Sequence, residues 1–183
     1  HDLIPQARGA GKSARHHDPS LPQARSMLAS ITALYDYDWT AAERLFRLAL
    51  DRTPVPGDVR WAFGNAYLLP FGRAAEAADE LQLALGQDPL NIVYRNARGI
   101  FLYVAGKHEQ GAREARTAIE IDDRYWGAYF SLGMYYASRS MWTDALAAAE
   151  RAYALARWTP CTSALLAAVL RQMGHGDRAQ DLF

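Results

Sequence analysis

The feature that most constrains the fold of this chain is an internal repeat with a period of 34 residues. Three sets of positions follow the repeat: Ala84, Ala118 and Ala152; Gly72, Gly106, Ser140 and Gly174; and Gly99 and Gly133, continuing to Ala167. Self-similarity at such a period is typical of repeat proteins, in which each unit buries its apolar face only against its neighbours. The sequence therefore predicts similar units packed in chain order.

The composition predicts that these units are helical. The 183 residues include 34 Ala and 21 Leu, against 18 Val, Ile and Thr together. Ala and Leu are among the best helix formers, whereas half-buried strands favour β-branched residues. The predicted fold class is all-α.

Each period reads as two helices. In the first, large and small residues recur at spacings of three and four, which places them on one helical stripe: Tyr129, Leu132, Gly133 and Tyr136, with a similar pattern at Trp61, Gly64 and Tyr67. The second carries a small–large–small pattern that allows close helix packing, seen at Ala42, Phe46 and Ala49 and again at Ala77, Leu81 and Ala84. A glycine is expected to end the first helix, and the pairs Asp18-Pro19, Thr53-Pro54 and Asp88-Pro89 are expected to close the units.

This pattern resembles the tetratricopeptide repeat (TPR) over nearly the whole chain. The resemblance implies a right-handed α-solenoid of stacked antiparallel helix pairs. It places repeats at 23–56, 57–91, 92–125, 126–159 and 160–183, with one inserted residue near Pro70, in Leu69–Gly72. Residues 1–22 fit the second helix of a preceding repeat plus a linker. Because the first and last repeats are partial, we expect the chain to be a piece of a longer array.

A shorter segment suggests a context for the array. Residues 34–39, Leu-Tyr-Asp-Tyr-Asp-Trp, followed by Ala42-Glu43-Arg44-Leu45-Phe46, are similar to a segment of TPR arrays appended to bacterial signalling proteins. Those proteins are winged-helix transcription regulators, serine/threonine kinases and adenylate cyclases. The resemblance therefore leaves two hypotheses open: a non-catalytic protein–protein interaction scaffold, or a regulatory segment of a larger signalling protein whose active domain lies elsewhere.

The TPR resemblance also implies a partner-binding groove lined by the first helices. The residues that match the groove positions most clearly are Met27, Ile31, Tyr35, Trp61, Asn65, Leu68, Leu69, Asn96, Ile100, Tyr103, Phe130, Met134 and Arg171. An apolar, aromatic stripe of this kind is typical of surfaces that capture a helix or an extended segment. The alternative is that some of these side chains pack against the next repeat.

The family's clamp for a C-terminal carboxylate is mostly missing. Asn65 matches one of its residues, but the neighbouring positions hold Trp61 and Asn96, and no Lys falls in the predicted groove. We therefore expect an apolar peptide, helix or partner surface. Two copies of the chain are also expected to associate through exposed array ends.

Other chemistries find little support. His16, His17 and Asp18 are compact, but adjacent histidines on a helix diverge and no further ligands complete a metal site. Cys161, at a predicted helix start, is read as a structural residue because the register places no His beside it. Gly9–Ser13 ends like a phosphate-binding loop, yet Gln6 replaces the first glycine of that motif. No catalytic residue, cofactor or metal is predicted.

Charge and hydropathy exclude two further classes. The formal net charge is zero and basic residues are interspersed with acids, which argues against nucleic-acid binding. The longest apolar run, Ala164–Leu170, is far shorter than the roughly 20 residues of a spanning helix. The compartment stays open, with the cytoplasm favoured over the periplasm.

Overall fold

A computed structural model describes residues 3–18, 21–51 and 53–182. Within these ranges the chain is helical and contains no strand, so the predicted all-α class is confirmed. The chain divides into two compact units, unit 1 (His1–Tyr94) and unit 2 (Arg95–Phe183). Pro19 and Phe183, which the sequence assigned to a repeat boundary and to the last repeat, lie outside the described residues.

Unit 1 contains helix α1, two helix pairs and the first turn of α6. Its helices are α1 (Leu3–His17), α2 (Pro22–Leu34), α3 (Trp39–Leu50), α4 (Gly57–Phe63), a π-helical turn (Gly64–Leu68) and α5 (Ala74–Gln87). Helix α2 packs against α3, and α4 with its π turn packs against α5. Helix α1 packs on α2, and the Arg8 guanidinium donates two hydrogen bonds of 2.7 Å to the Asp36 carboxylate in the α2–α3 turn.

Unit 2 repeats the arrangement with three further pairs. Its helices are α6 (Ile92–Val104), α7 (His108–Ile121), α8 (Trp126–Ser138), α9 (Trp142–Leu155), α10 (Pro160–Gln172) and α11 (Gly176–Gln180). Short turns join the members of each pair, so consecutive helices run antiparallel and pack in chain order, as α7 on α8 and α9 on α10 show.

The core is formed by the small and large residues of the second helices. The recurring small and large residues at these positions are fully buried: Ala42, Phe46, Ala49, Ala77, Leu81, Ala84, Ala145, Ala149 and Ala152. Alanine brings neighbouring helices close together, and the larger Phe46 or Leu81 side chain fills the space beside it. In unit 1, Phe46 contacts the rings of Phe63 and Tyr67 at centroid distances of 5.3 and 6.1 Å.

The turns inside four helix pairs share one hydrogen-bonded form. Gly72, Gly106, Ser140 and Gly174 all have positive φ, between 56° and 81°. In each turn the next residue's N–H donates to a carbonyl five residues back, as in Arg73 to Leu68 and Lys107 to Leu102, both 2.9 Å. This is the Schellman motif, in which a left-handed residue allows the last carbonyls of a helix to be satisfied.

The structure places the extra residue of the second repeat inside a helix and not in Leu69–Gly72, where the sequence suggested it. The turn after Leu68 has the same hydrogen bonds as the turns 34 residues later, so this loop holds no additional residue. Instead, the Leu69 N–H donates to the Gly64 carbonyl over five residues, at 2.9 Å. A π-helical turn of this kind accommodates one residue more than an α-helical turn.

Candidate functional site

The candidate site is the set of first-helix side chains that the TPR resemblance assigned to partner binding. In unit 1 these come from α2, α4 and the π turn, and they separate into three groups. Ile31 and Leu68 are buried, Met27 and Leu69 are half-buried, and Tyr35, Trp61 and Asn65 are exposed. Ile31 and Leu68 therefore belong to the core of unit 1, and Tyr35, Trp61 and Asn65 are the accessible members.

Trp61 is the largest accessible side chain of this set in a helix of unit 1. Its side chain is 38 % exposed, although a large apolar residue in a helix is usually buried. The neighbouring Arg60 forms an ion pair with Glu80 of α5, and both charged side chains are mostly buried. This pair ties α4 to α5 at the residue next to Trp61.

In unit 2 the buried member is Asn96 of α6. Its side-chain oxygen accepts a hydrogen bond of 2.9 Å from the Ser131 hydroxyl of α8. A buried amide needs such a partner. Asn96 therefore joins two first helices and is not available to a ligand.

The remaining predicted members in unit 2 are partly accessible. Ile100, Tyr103, Phe130 and Met134 are half-buried, and Arg171 is exposed. The Tyr103 ring stacks on the His108 ring of α7, with centroids 4.7 Å apart, which fixes its orientation.

An aromatic cluster surrounds Phe130, formed by Trp126, Phe130 and Trp158. The Trp126 ring lies edge-to-face with Phe130 at 6.2 Å and with Trp158 at 6.1 Å. Trp158, in the turn before α10, is 77 % exposed. The sequence reasoning missed Trp126 and Trp158. The available signal was a large aromatic residue in a loop, two positions before the Pro160 that starts a helix.

Charges are almost absent from α8 and α10. Helix α8 has no ionisable Asp, Glu, Lys, Arg or His side chain in its 13 residues, and Arg171 is the one charged residue of α10. In α6, Arg95 and Arg98 both pair with the Glu114 carboxylate of α7, which offsets one of their two positive charges. The first helices of unit 2 thus present apolar and aromatic side chains with little charge.

A polar cluster stabilises the opposite side of α8. The Tyr135 hydroxyl donates a hydrogen bond to the Glu109 carboxylate, which also accepts one of 3.1 Å from Arg116. The hydrogen bond from Tyr135 lowers the pKa of Glu109 below its usual value, and the same bond raises the pKa of Tyr135. The Arg116 guanidinium also lies 5.8 Å from the centre of the Tyr135 ring.

Unit 1 holds a cleft that the sequence did not indicate. It has a volume of about 360 Å³ and is lined by Trp39, Thr40, Glu43, Tyr67 and Phe71. Trp39 and Phe71 meet edge-to-face at 5.2 Å. Glu43 is already paired with Arg47 at 2.6 Å, so the cleft offers aromatic walls and a neutralised carboxylate.

The residues considered for other chemistry lie in two different helices, α1 and α10. Gly9–Ser13 and the two histidines His16 and His17 lie in helix α1, and the half-buried Cys161 has its sulfur 3.2 Å from the Thr159 hydroxyl. Among the described residues, no group of three or more His, Cys, Asp or Glu side chains could hold a metal ion. In the same part of the chain, no helix combines the length and apolarity that crossing a bilayer requires.

Comparison with solved structures identifies the fold. The chain is similar to PilW, a widely conserved type IV pilus biogenesis factor, with a TM-score of 0.80 and 16% identity over 98% of this chain and 82% of that one. It is also similar to YrrB, a TPR protein with an unusual peptide-binding site (TM-score 0.64, 19% identity, 88% and 82% covered). For the Sgt2 TPR domain from Aspergillus fumigatus, the TM-score is 0.60, with 23% identity and 69% and 87% covered.

These likenesses show that the chain has the fold of TPR proteins, as its sequence pattern predicted. No protein-family model matches the sequence. No curated protein matches it either.

Proposed function

We propose that this chain is a non-catalytic protein-interaction module that binds an apolar peptide, helix or partner surface through its first helices. The observation that carries the proposal is the surface of α8 and its surroundings. This helix lacks charged residues, yet Phe130 and Met134 are partly accessible and the adjoining Trp158 is largely exposed. Exposed aromatic side chains of this kind supply much of the binding energy in protein interfaces.

Unit 1 supports the same proposal with a second surface. Trp61 and Tyr35 are exposed large apolar residues in or directly after its first helices. Both side chains carry a polar group on an apolar body, a combination for which Tyr and Trp are enriched at protein interfaces. We therefore propose that each unit offers its own binding surface, with Trp61 central in unit 1 and Phe130 central in unit 2.

A random-peptide phage selection against the full chain tests the proposal. Peptides that are enriched would be made synthetically and their affinity measured by fluorescence polarisation. For peptides bound by unit 1, Trp61→Ala should weaken binding by about tenfold or more, the effect of losing an interface hot spot. For peptides bound by unit 2, Phe130→Ala should do the same.

The matched control is Leu83→Ala, which removes an exposed apolar side chain from a second helix, α5. This variant should bind as the wild type does. Circular dichroism should show the same helical content in all three variants. A selection that enriches no peptide, or peptides whose binding survives both Trp61→Ala and Phe130→Ala, would contradict the proposal.

The resemblance of residues 34–46 to arrays in bacterial signalling proteins extends the proposal to context. We infer that the module acts within a larger signalling or regulatory protein. Reading the coding sequence on both sides of this segment tests that inference, and the absence of any signalling domain there would overturn it.

Association of two copies is the remaining part of the proposal. A cleft of about 370 Å³ between α9, α10 and α11 is lined by large side chains that include Tyr153, Leu166, Leu170 and Leu182, and by the charged residues Glu150, Arg157, Arg178 and Asp181. Light scattering after size exclusion, at several concentrations, should show dimers appearing as the concentration rises. A strictly monomeric protein throughout would count against this part.

A further inference from the structure

The strongest unassigned feature is a cleft in unit 2 where α8, α9 and α10 meet. It has a volume of about 390 Å³, and its walls include Ala137 of α8, Trp142 at the start of α9, and Leu165, Ala168 and Val169 of α10. A cleft of this size with apolar walls accommodates one or two large apolar side chains.

Small residues lie beside the cleft. Leu165, one of its walls, packs closely on Gly133 of α8, since a Cβ added to Gly133 would lie 2.8 Å from Leu165 Cδ2. Ala137 and Ala168 are also small, which leaves the space above them empty. The cleft thus lies beside small residues at positions where other repeats of this chain carry larger ones: in the 34-residue register Ala137 corresponds to Tyr103, and Ala168 corresponds to Met134 and Ile100.

One end of the cleft carries an unbalanced positive charge. Arg171 and Gln172 of α10 line it, and no carboxylate does. Among the described residues, the Arg171 guanidinium takes part in no ion pair, whereas Arg178, on the following helix, pairs with Glu150 at 3.2 Å. Gln172 adds an amide that can also donate to a carboxylate.

We propose that this cleft receives an apolar side chain of a partner protein whose neighbouring Asp or Glu pairs with Arg171. The inference rests on the proposed function and adds the partner's chemistry to it. An apolar cavity with a few convergent polar groups is the usual form of a specific binding pocket. The guanidinium fork matches a carboxylate in geometry as well as in charge, so the charge would select acidic partners over neutral or basic ones.

The test reads the composition of the peptides that the phage selection enriches. Wild-type protein should enrich peptides that combine a large apolar residue with a nearby Asp or Glu. Arg171→Glu should instead enrich peptides with Lys or Arg at that position. Arg171→Gln should bind the wild-type peptides about three- to tenfold more weakly, since it removes one charge-assisted contact at a partly exposed site.

Two control variants separate the cleft from the rest of the surface. Ala168→Trp fills the cleft and should abolish binding of the acidic peptides, whereas Ala164→Trp, one turn earlier on the same helix and also exposed, should not. Arg44→Glu reverses an exposed charge on α3 and should leave the enriched composition unchanged.

The outcomes distinguish this inference from the proposed function. If peptides are enriched without any acidic preference, or if Arg171→Glu selects the same peptides as the wild type, the inference is wrong while peptide binding stands. Enrichment of peptides that resemble segments of this chain itself, or of peptides whose binding is unchanged by Ala168→Trp, would also overturn it. If no peptide is enriched at all, both fail.

Discussion

Gly99 and Gly111 face each other across helices α6 and α7. A Cβ added to Gly111 would lie 2.6 Å from the Gly99 carbonyl oxygen, and one added to Gly99 would lie 3.1 Å from the Gly111 carbonyl oxygen. Both contacts are with backbone atoms, which cannot move aside as a flexible side chain can. The pair therefore sets how closely these helices approach.

Replacing Gly111 with Ala should lower the free energy of unfolding by about 1–3 kcal/mol, the usual cost of forcing extra volume into a packed interface. This loss would occur although Ala is the better helix former. The measurement is chemical denaturation followed by circular dichroism.

Gly86→Ala is the matched control for this substitution. Gly86 lies in α5, and nothing is within 4 Å of the position that its Cβ would occupy. Here Ala should raise the stability by roughly 0.5–1 kcal/mol, its intrinsic advantage over Gly in a helix. If both substitutions stabilised the protein, the close approach of α6 and α7 would be refuted.

The turn residues give a second prediction. Ser140 has φ 56° where the equivalent turns use glycine, so its Cβ strains a left-handed backbone. We expect Ser140→Gly to stabilise the protein by up to about 1 kcal/mol and Gly106→Ala to destabilise it by about 1 kcal/mol. Thermal unfolding of the two variants checks the opposite signs, and equal signs would contradict the role assigned to this turn.

The Glu114 carboxylate gives a third prediction, because it serves two arginines of α6. Its side chain is 15% exposed, and Arg98 is similarly enclosed at 17%. Glu114→Gln should cost on the order of 2–4 kcal/mol, since the one carboxylate charge that both guanidinium groups pair with is lost at a mostly buried site.

Glu76→Gln is the comparison for the Glu114 variant, measured by the same denaturation assay. Glu76 pairs with Arg73 in the same helix turn and is well exposed, so its removal should change the stability much less. Equal losses in the two variants would show that burial does not strengthen the Glu114 contacts.

The Glu109–Tyr135 hydrogen bond predicts a pH dependence. The folded pKa of Glu109 is lowered, so its stabilisation is present above the unfolded pKa of about 4.3 and is lost as pH falls through the folded value. The folded pKa of Tyr135 is raised, so its stabilisation is present below the unfolded pKa of about 10 and is lost as pH rises through the folded value.

The stability difference between wild type and Tyr135→Phe should therefore be constant near neutral pH and shrink at both extremes. Denaturation curves at a series of pH values measure it. Tyr37→Phe, at an exposed turn position, should show no such profile. A difference that is independent of pH from strong acid to strong base would rule out the hydrogen bond to a carboxylate.

Much of the fold followed from residue spacing. The buried positions Ala77, Leu81 and Ala84 and the left-handed turn at Gly106 were predictable, because helix packing and turn geometry each demand one residue size or one backbone conformation. The position of the π turn within the repeat was not predictable. A one-residue insertion shifts the register by the same amount wherever it occurs, so spacing alone cannot locate it.

The candidate site was less predictable than the fold. The repeat register assigns a residue to a helix face, but burial depends on which neighbour covers that face. Asn96 and Ile31 are therefore interior, although their register matches that of the exposed Trp61 and Asn65, respectively. Trp158 lies in a loop, and the cleft at α8, α9 and α10 lies beside unusually small side chains, so neither follows from a helical periodicity.

The π turn at Gly64–Leu68 distinguishes the first helix of the second repeat from a regular α-helix. Trp61, before this turn, corresponds to Asn96 in the third repeat. Leu68, at its end, corresponds to Leu102, so the two pairs differ in sequence separation by one residue. A partner that contacts residues on both sides of this turn would meet them in a relative phase that a strict 34-residue period does not provide.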